Sequence, residues 1–242
     1  TKLYTAVFIV LILGFIIFGG VKRIASFTQV VVPFMALAYI IIACVMIFLH
    51  IDRLGDVFML IITDAFSPMA GVGAAIGWGV KRGVYSNEAG QGTGPHAAAA
   101  AEVDHPAQQG LVQAFSVYID TLFVCTATAF MILITQSYNV QLQGSGSFIV
   151  QNIAGHIAAN SPAYTQIAVE SMLTGFGKPF IAIALFFFAF TTILAYYFIA
   201  ENNVSYIKRT FNFPALTFLL KLLIMVATFY GTVKAADIAW GM

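Results

Sequence analysis

One acidic residue lies deep inside an apolar run, where it could bind a cation or fasten neighbouring helices. Asp120 is near the middle of the run from Gly110 to Thr135, and Thr121, Thr126 and Thr128 follow it. If this run crosses a membrane, an ionisable group at that depth is costly and is by default functional or firmly paired. Cation ligation and a structural hydrogen bond therefore both stay open for Asp120.

A pair of hydroxyls lies in a later apolar run and could bind a hard cation. Thr191 and Thr192 are near the centre of the run from Pro179 to Ala200. Oxygen ligands of this kind suit Na⁺ when a neighbouring helix supplies further oxygens. The alternative is that each hydroxyl bonds only to the carbonyl one turn back. Tyr196 is four residues after Thr192, so the two share a helix face.

Glycines crowd the segment between Ser67 and Pro95 and predict an interrupted helix. They are Gly71, Gly73, Gly77, Gly79, Gly83, Gly90, Gly92 and Gly94. Backbone groups that leave a helix are tolerated within a membrane only where they are buried in protein or line a water-filled cavity. Secondary transporters bind substrates and ions at such breaks, although glycines at this spacing also allow close helix packing.

Polar and aromatic side chains in the same segment are weaker candidates for a site. Trp78 could form one wall of a small apolar subsite, or serve as a packing or interfacial residue. Ser86, Asn87 and Glu88 are consecutive and could form a hydrogen-bonded network at the inner end of the broken helix. A solvated helix cap would use the same residue types.

The composition defines the elements that must position these residues. Of 242 residues, 60% are hydrophobic and 9% charged, whereas soluble domains carry roughly a quarter charged residues. The formal net charge is +1, without the basic patch that a nucleic-acid partner requires. Cys44 and Cys125 lie in apolar runs and behave as small hydrophobes. The chain is therefore expected to be an all-α protein of the lipid bilayer.

Five runs are long enough for a spanning helix of about 20 residues. They are Leu3 to Val21, Gln29 to Leu49, Gly110 to Thr135, Pro179 to Ala200 and Pro214 to Val233. The glycine-rich region from Phe66 to Ala101 is the expected sixth crossing. It must cross if the doublets Lys22-Arg23, Lys81-Arg82 and Lys208-Arg209 are all cytoplasmic, as the positive-inside rule predicts.

Two connecting segments are expected on the outer side. Ile51 to Phe66 carries three aspartates among apolar residues and predicts a short interfacial helix. Gln136 to Gly177 is long enough to fold back as a lid, and it contains an amphipathic stretch near Phe148 to Ile157. Because the sequence starts at Thr1, without a start methionine or a signal pattern, we expect it to be part of a longer protein.

Three long stretches resemble one transporter family, the alanine/glycine:cation symporters or amino acid carrier proteins. The most specific match is GWGVKRGVYSNEAGQGTGPHAAAAAEVDHPAQQGLVQAFSVYIDTLFVCTATAFMILIT, from Gly77 to Thr135. FAFTTILAYYFIAENN, from Phe188 to Asn203, and GGVKRIASFTQVVVPFMALAYI, from Gly19 to Ile40, are similar to other helices of that family. The resemblance covers nearly the whole chain.

The resemblance implies a leucine-transporter-like fold of five-plus-five inverted repeats. The six crossings would be the family's fourth to ninth helices, with the glycine-rich region as the broken sixth and Thr191 and Thr192 in the eighth. Residues 1–242 would then be one transmembrane transporter domain that lacks the N-terminal helices and the C-terminal end. The family's localisation implies a multi-pass protein of the prokaryotic inner (plasma) membrane.

The resemblance also implies sodium-coupled symport of small neutral amino acids such as alanine and glycine. Gly71, Val72 and Gly73 would line the substrate, with Trp78 as a further candidate, and Thr192 and Tyr196 would face it from the eighth helix. Thr191 and Thr192 would ligate the sodium ion. Asn87, Glu88 and Asp120 would form a coupling or structural network. No cofactor is implied beyond Na⁺ as the coupling ion.

Rival functions remain open from the sequence. Proton coupling, or symport of another small solute, would use the same kind of fold. A passive channel is less favoured, because nothing is typical of a ring-forming filter. A membrane-embedded enzyme is also less favoured, because His96 and His105 lack a third ligand at zinc spacing and no hydrolytic triad is evident.

Overall fold

Apolar helices make up most of the structure. The computed structural model describes residues 2–66, 72–88, 90–141, 147–154, 157, 161–211, 213 and 215–234, with only the backbone at 2 and 72–75. Within these residues, four helical stretches are long and apolar enough to cross a membrane: Val21–Leu49, Pro106–Ile134, Gly177–Thr210 and Leu216–Val233. They coincide with four of the expected crossings.

The first two helices meet at a tight turn that the sequence placed wrongly. Helix α1 is Lys2–Ile17 and α2 is Val21–Leu49, so α2 begins eight residues before the expected Gln29. Gly20 has a φ of +79°, a conformation that favours glycine, and it ends the turn. With 16 residues, α1 is about 24 Å long, which is shorter than the hydrocarbon core of a bilayer.

Arg23 closes this turn by satisfying a carbonyl at the end of α1. Its guanidinium donates a hydrogen bond of 2.8 Å to the Phe15 carbonyl and lies 4.8 Å from the centre of the Phe15 ring. The last carbonyls of a helix have no partner within the helix, so such a contact stabilises its end. The basic residue thus fixes where α1 ends.

The region after α2 contains three shorter helices. A 3₁₀ turn, Ile51–Arg53, leads into α3, Leu54–Ala65, which confirms a helix in the expected outer segment. Helix α4 is Val72–Ser86 and α5 is Thr93–Ala98. Between α4 and α5, Glu88, Gly90 and Gly92 all have positive φ angles, of 52°, 76° and 84°. Among the described residues, this is where the glycine-rich region leaves the helical conformation.

The next membrane-length stretch changes its helical type near its centre. It comprises α6, Pro106–Tyr118, a π-helical segment, Ile119–Cys125, and α7, Thr126–Ile134. A π-helix is rare and widens the backbone, and it occurs frequently at functional sites. Asp120 lies in this segment.

The segment after α7 contains a short β-hairpin, while the described residues are mostly helical, as the expected all-α membrane protein requires. Strand β1, Asn139–Gln141, pairs antiparallel with β2, Phe148–Gln151, so that Val140 faces Val150. The Asn139 carbonyl side-chain oxygen accepts the N–H groups of Asn152 and Ile153, each at 2.9 Å. The expected amphipathic stretch from Phe148 to Ile157 therefore begins as a strand. A helix, α8, follows at Ala163–Met172.

The last two helices are the membrane-length helices α9, Gly177–Thr210, and α10, Leu216–Val233. Helix α9 is 34 residues long and continues ten residues beyond Ala200, where the sequence predicted its end. That prediction followed the apolar run, but a helix needs no apolar residues to continue, and the extension carries Glu201 and the doublet Lys208-Arg209.

The described residues divide into two compact units. The first comprises residues within 1–34, 92–105 and 186–242. Its core contains buried side chains of α1, α2 and α9, and α10 packs against α1. These buried residues are Leu13, Ile16, Ile17, Ile24, Phe190, Leu194 and Tyr197. At the α1–α10 contact, a β-carbon added at Gly14 would lie 3.1 Å from the Met225 methyl carbon.

The second unit comprises residues within 35–91 and 106–185, and polar contacts hold its elements together. The hydroxyls of Tyr39 on α2 and Thr128 on α7 are 2.7 Å apart. Arg53 donates a hydrogen bond of 3.3 Å to the carbonyl of Ile134, the last residue of α7. Each contact pairs a polar group that an apolar surrounding would otherwise leave unsatisfied.

Glu170 fixes the start of α9 within this second unit. Its carboxylate accepts the backbone N–H of Gly175 at 2.7 Å and that of Lys178 at 2.9 Å. These two N–H groups, helped by the Lys178 charge, hold the pKa of the Glu170 carboxyl below its usual 4.5. A carboxylate at a helix N-terminus is also favoured by the helix dipole.

Gly177 leaves no room for a side chain at the α8–α9 junction. An added β-carbon would collide with the backbone of Val169 and Glu170. We expect Gly177→Ala to lower the free energy of unfolding by about 1–3 kcal/mol, the usual range for overpacking. Gly110→Ala is the matched control, because nothing lies within 4 Å of its added β-carbon. Equal thermal unfolding temperatures for the two purified variants would contradict this account.

The Glu170 cap should make stability depend on pH. Because the pKa of this carboxyl is lowered in the fold, the cap stabilises fully above the usual carboxyl pKa of 4.5 and its contribution is lost as pH falls through the lower folded value. We expect Glu170→Gln to lower the melting temperature at pH 7, with the difference from wild type vanishing in strong acid. Glu102→Gln, at an exposed carboxylate, should show no such pattern.

Candidate functional site

A cavity between α2 and α9 contains the threonine pair. It lies entirely within the first unit and has a volume of about 410 Å³. Thr191 and Thr192 line it from α9, and Thr28 lines it from α2. Its other walls are apolar and are formed by Val21, Ile24, Ala25, Val32, Ala195 and Phe198. Three hydroxyls are thus the polar side chains of an otherwise apolar cavity.

Each of the three hydroxyls donates its proton to a backbone carbonyl one turn back. Thr28 donates to Ile24 at 3.0 Å, Thr191 to Phe187 at 2.8 Å, and Thr192 to Phe188 at 2.8 Å. A hydroxyl keeps its acceptor lone pairs when it donates in this way. Local bonding therefore leaves the oxygens available to a cation, although Thr191 is buried and Thr192 exposed.

Tyr196 does not line this cavity, although it lies one turn after Thr192. It lines a second cavity of about 420 Å³ in the same unit, between α9 and α10. Ile193, Tyr197 and Thr228 are among the other residues there. Two α-helical residues four apart are offset by about 40°, which is enough for these two to line different cavities.

Asp120 lies in a hydrogen-bonded cluster of the second unit. Its carboxylate accepts the hydroxyl proton of Ser86, at the end of α4, with a separation of 2.6 Å. The Cys125 sulfur is 3.8 Å from the same carboxylate oxygen and 3.7 Å from the Ser86 hydroxyl. The cluster therefore joins both ends of the π-helical segment to α4. The Cys125 thiol has polar neighbours, which the apolar run around it in the sequence did not indicate.

Asn87 makes the same connection one residue later. Its side-chain N–H group donates to the Thr121 hydroxyl at 3.0 Å, and its carbonyl oxygen is 3.1 Å from that hydroxyl. Glu88 follows at the break between α4 and α5, with its φ of 52°. The three consecutive polar residues thus end α4, and two of them contact the π-helical segment.

The remaining predicted substrate residues lie on α4 or just before it. Trp78 is 57% exposed, and the cationic groups of Lys81 and Arg82 lie 5.2 and 5.5 Å from its ring centre. Val72 and Gly73 form the first turn of α4, where the structure describes only the backbone. Gly71 lies outside the described residues.

Sequence reasoning missed Thr28 as a partner of the threonine pair. A single threonine in an apolar helix has no distinctive signal. Its spacing of four residues from Ile24 and Val32 does place it on the face of α2 that lines the cavity.

The whole chain matches a known family. Residues 1–242 match the sodium:alanine symporter family. The chain belongs to that family. The resemblance inferred from the sequence is thereby confirmed.

Relatives in this family are found in bacteria and archaea. The chain is 60% identical over 238 residues to YrbD of Bacillus subtilis (strain 168), covering 97% of the chain and 49% of that protein. It is 54% identical over 245 residues to the sodium/proton-dependent alanine carrier protein of Bacillus sp. (strain PS3), covering 100% and 55% respectively. It is 33% identical over 231 residues to the sodium/alanine symporter AgcS of Methanococcus maripaludis, covering 94% and 47%. The chain thus spans about half the length of these relatives.

Membership of the sodium:alanine symporter family decides between a transporter and a membrane-embedded enzyme. The family and the named relatives are transporters, so the expectation that the protein is not an enzyme is confirmed. Together with the membrane-length helices, this shows an integral multi-pass membrane protein.

The Ser86–Asp120 contact can be tested with a double-mutant cycle. In a full-length transporter that contains this sequence, we expect Ser86→Ala and Asp120→Ala to be coupled by about 0.5 kcal/mol or more in unfolding free energy, since the two side chains share one hydrogen bond. Ser116→Ala is the matched control, because its hydroxyl bonds only locally to the Gln113 carbonyl. Strict additivity of Ser86→Ala with Asp120→Ala would show that the contact contributes nothing.

Proposed function

We propose that this chain is part of a sodium-coupled symporter that carries small neutral amino acids, alanine and glycine among them, across the plasma membrane. Family membership supports alanine transport, and the names of the relatives from Bacillus sp. and M. maripaludis contain both alanine and sodium. The cavity with three threonine hydroxyls is the observation in the chain itself that carries the proposal.

The proposed fold is the leucine-transporter-like inverted repeat, in which this chain supplies the fourth to ninth helices. The positive φ angles of Glu88, Gly90 and Gly92 and the membrane-length helix that carries Thr191 support this placement. Transport would proceed by alternating access, with the outer segment that carries the β-hairpin and α8 helping to close the site.

The proposed sodium site uses Thr191 and Thr192, joined by Thr28. Na⁺ is a hard cation that prefers oxygen ligands, and the three hydroxyl oxygens meet at one otherwise apolar cavity. The hydrogen bonds to the carbonyls hold each hydroxyl in a fixed orientation, which lowers the entropy lost when an ion binds. Other segments of the transporter would complete the coordination.

The proposed substrate site uses Gly71, Val72 and Gly73 before and at the start of α4, with Trp78, Thr192 and Tyr196 as further contacts. A small amino acid is favoured because glycines expose backbone groups that can hydrogen-bond its charged ends, while apolar walls limit the volume of its side chain. Tyr196 is the weakest member, since it lines the cavity next to α10.

A second coupling ion is favoured by one specific observation. The relative from Bacillus sp. is named a sodium/proton-dependent carrier, so a proton could replace or accompany sodium. A passive channel is less favoured, because the relatives from Bacillus sp. and M. maripaludis are named a carrier and a symporter.

The proposed function can be tested by alanine uptake into proteoliposomes that contain the full-length transporter. We expect saturable accumulation driven by a sodium gradient. Thr191→Val and Thr192→Val should each raise the sodium concentration for half-maximal uptake about tenfold or more, since a contact to a charged group is worth roughly 1.5–3 kcal/mol.

Thr232→Val is the matched control for these variants. The Thr232 hydroxyl also donates to a carbonyl one turn back, that of Thr228 at 2.7 Å. It lines the α9–α10 cavity with Tyr196 and not the threonine cavity, so the control tests the sodium dependence and not the rate of uptake. If Thr232→Val raises the sodium concentration for half-maximal uptake by the same factor, sodium does not bind in the threonine cavity. Uptake that only equilibrates alanine would exclude a symporter.

A further inference from the structure

Two buried polar atoms on α9 have no hydrogen-bond partner among the described residues. They are the hydroxyl oxygen of Tyr197 and one carboxylate oxygen of Glu201. The residues are four apart, so their side chains lie one above the other on the same helix face. Buried polar atoms are nearly always paired in proteins, and an exception calls for an explanation.

Tyr197 lies in an apolar setting within the first unit. Its side chain is 0% exposed and belongs to the apolar core of the first unit, with Leu194 on its own helix and Leu13 and Ile17 on α1. The Glu201 carboxylate acts on the Tyr197 hydroxyl both through its charge and as a nearby hydrogen-bonding group, although no hydrogen bond of good geometry joins the two side chains. The Tyr197 hydroxyl and the Glu201 carboxylate therefore form one local pair of polar groups.

Glu201 is partly buried, with one carboxylate oxygen fully buried, and it lies in the last third of α9. The doublet Lys208-Arg209 begins seven residues later, which is about 10 Å along a helix. The adjacent Asn202 donates a hydrogen bond of 3.3 Å to the carbonyl of His96, so α5 packs beside this part of α9. A carboxylate oxygen that is buried without a hydrogen bond calls for an explanation.

Three cationic side chains of this unit have partners other than Glu201. Arg23 on α2 donates to the Phe15 carbonyl, Lys208 donates to the Thr217 hydroxyl at 3.3 Å, and Lys221 on α10 lies 5.1 Å from the Phe18 ring centre. Titratable groups on the elements packed against α9 in this unit are Tyr4, Lys22, Arg23, His96, Lys221 and Tyr230. Arg23, Lys208 and Lys221 are thus engaged away from Glu201.

We propose that Glu201 is the proton-binding site through which this transporter couples alanine movement to a proton, with the Tyr197 hydroxyl as hydrogen-bond partner of the protonated carboxyl. This inference rests on the proposed function. A carboxylate oxygen takes a proton from water on one side, an O–H bond forms, and the same proton returns to water on the other side. A protonated carboxyl can donate to the tyrosine oxygen, which satisfies both orphaned atoms at once.

The proton site is separate from the threonine cavity. Neither Tyr197 nor Glu201 lines the cavity that contains Thr191 and Thr192. Nine residues separate Glu201 from Thr192, or about 13 Å along the helix. Loss of the carboxyl should therefore remove proton coupling and leave sodium coupling.

The test uses a full-length transporter that contains this sequence, reconstituted in proteoliposomes. Alanine uptake is driven either by a sodium gradient at equal pH or by a pH gradient without sodium. We expect Glu201→Gln to reduce pH-driven uptake about tenfold or more, a common size for coupling between two sites, and to keep sodium-driven uptake. Tyr197→Phe should shift the pH dependence of pH-driven uptake, and Glu102→Gln should match wild type.

The outcomes separate this inference from the proposed function. The proton site alone would be overturned if wild-type protein moves alanine with a sodium gradient but not with a pH gradient. It would also be overturned if uptake by Glu201→Gln equals wild-type uptake under both gradients, or if it is reduced under both. If Glu201→Gln does not fold, Glu201→Asp must shift the pH dependence of uptake, and an unchanged profile overturns the inference. No alanine uptake under either gradient would overturn the proposed function itself.

Discussion

A polar group within the hydrocarbon of a bilayer must find its partner inside the protein, because no water is available there. Several polar side chains of the described helices follow this constraint. Asp120 accepts the Ser86 proton, Tyr39 meets Thr128, and Arg53 satisfies the last carbonyl of α7. The few buried atoms that break the rule, such as those of Tyr197 and Glu201, are informative because the rule is otherwise obeyed.

In the threonine cavity, local hydrogen bonding does not exclude the proposed ion binding. From the sequence, a hydrogen bond to the preceding turn is a rival to ligation for Thr191 and Thr192. The structure has those bonds, yet the same hydroxyl oxygens line a cavity with Thr28. Donation uses the hydroxyl proton, whereas a cation would use the lone pairs. The hydrogen bonds therefore orient the oxygens for a ligand.

Four of the six predicted crossings are helices of membrane length, because long apolar runs can be recognised from composition alone. The ends of these helices are predicted poorly. The end of α1 depends on the φ of Gly20 and on Arg23, and the start of α9 depends on Glu170, which is eight residues away from Lys178. The β-hairpin has strands of three and four residues, too short for a periodic signal. That Thr28 and Thr191 line the same cavity can be seen only once the helices are packed together. The roles of the site residues stay predictions.

Helix α9 offers a physical reason for one transporter to use two ions. It carries hydroxyls at Thr191 and Thr192 and a carboxyl at Glu201, about 13 Å apart along one continuous helix. Ions at the two positions would not share ligands, so neither would exclude the other. A rigid element whose position both sites bias is what energetic coupling requires. Movement of α9 as one body would then let either ion favour the same conformation, and the gradient present would determine which one drives transport.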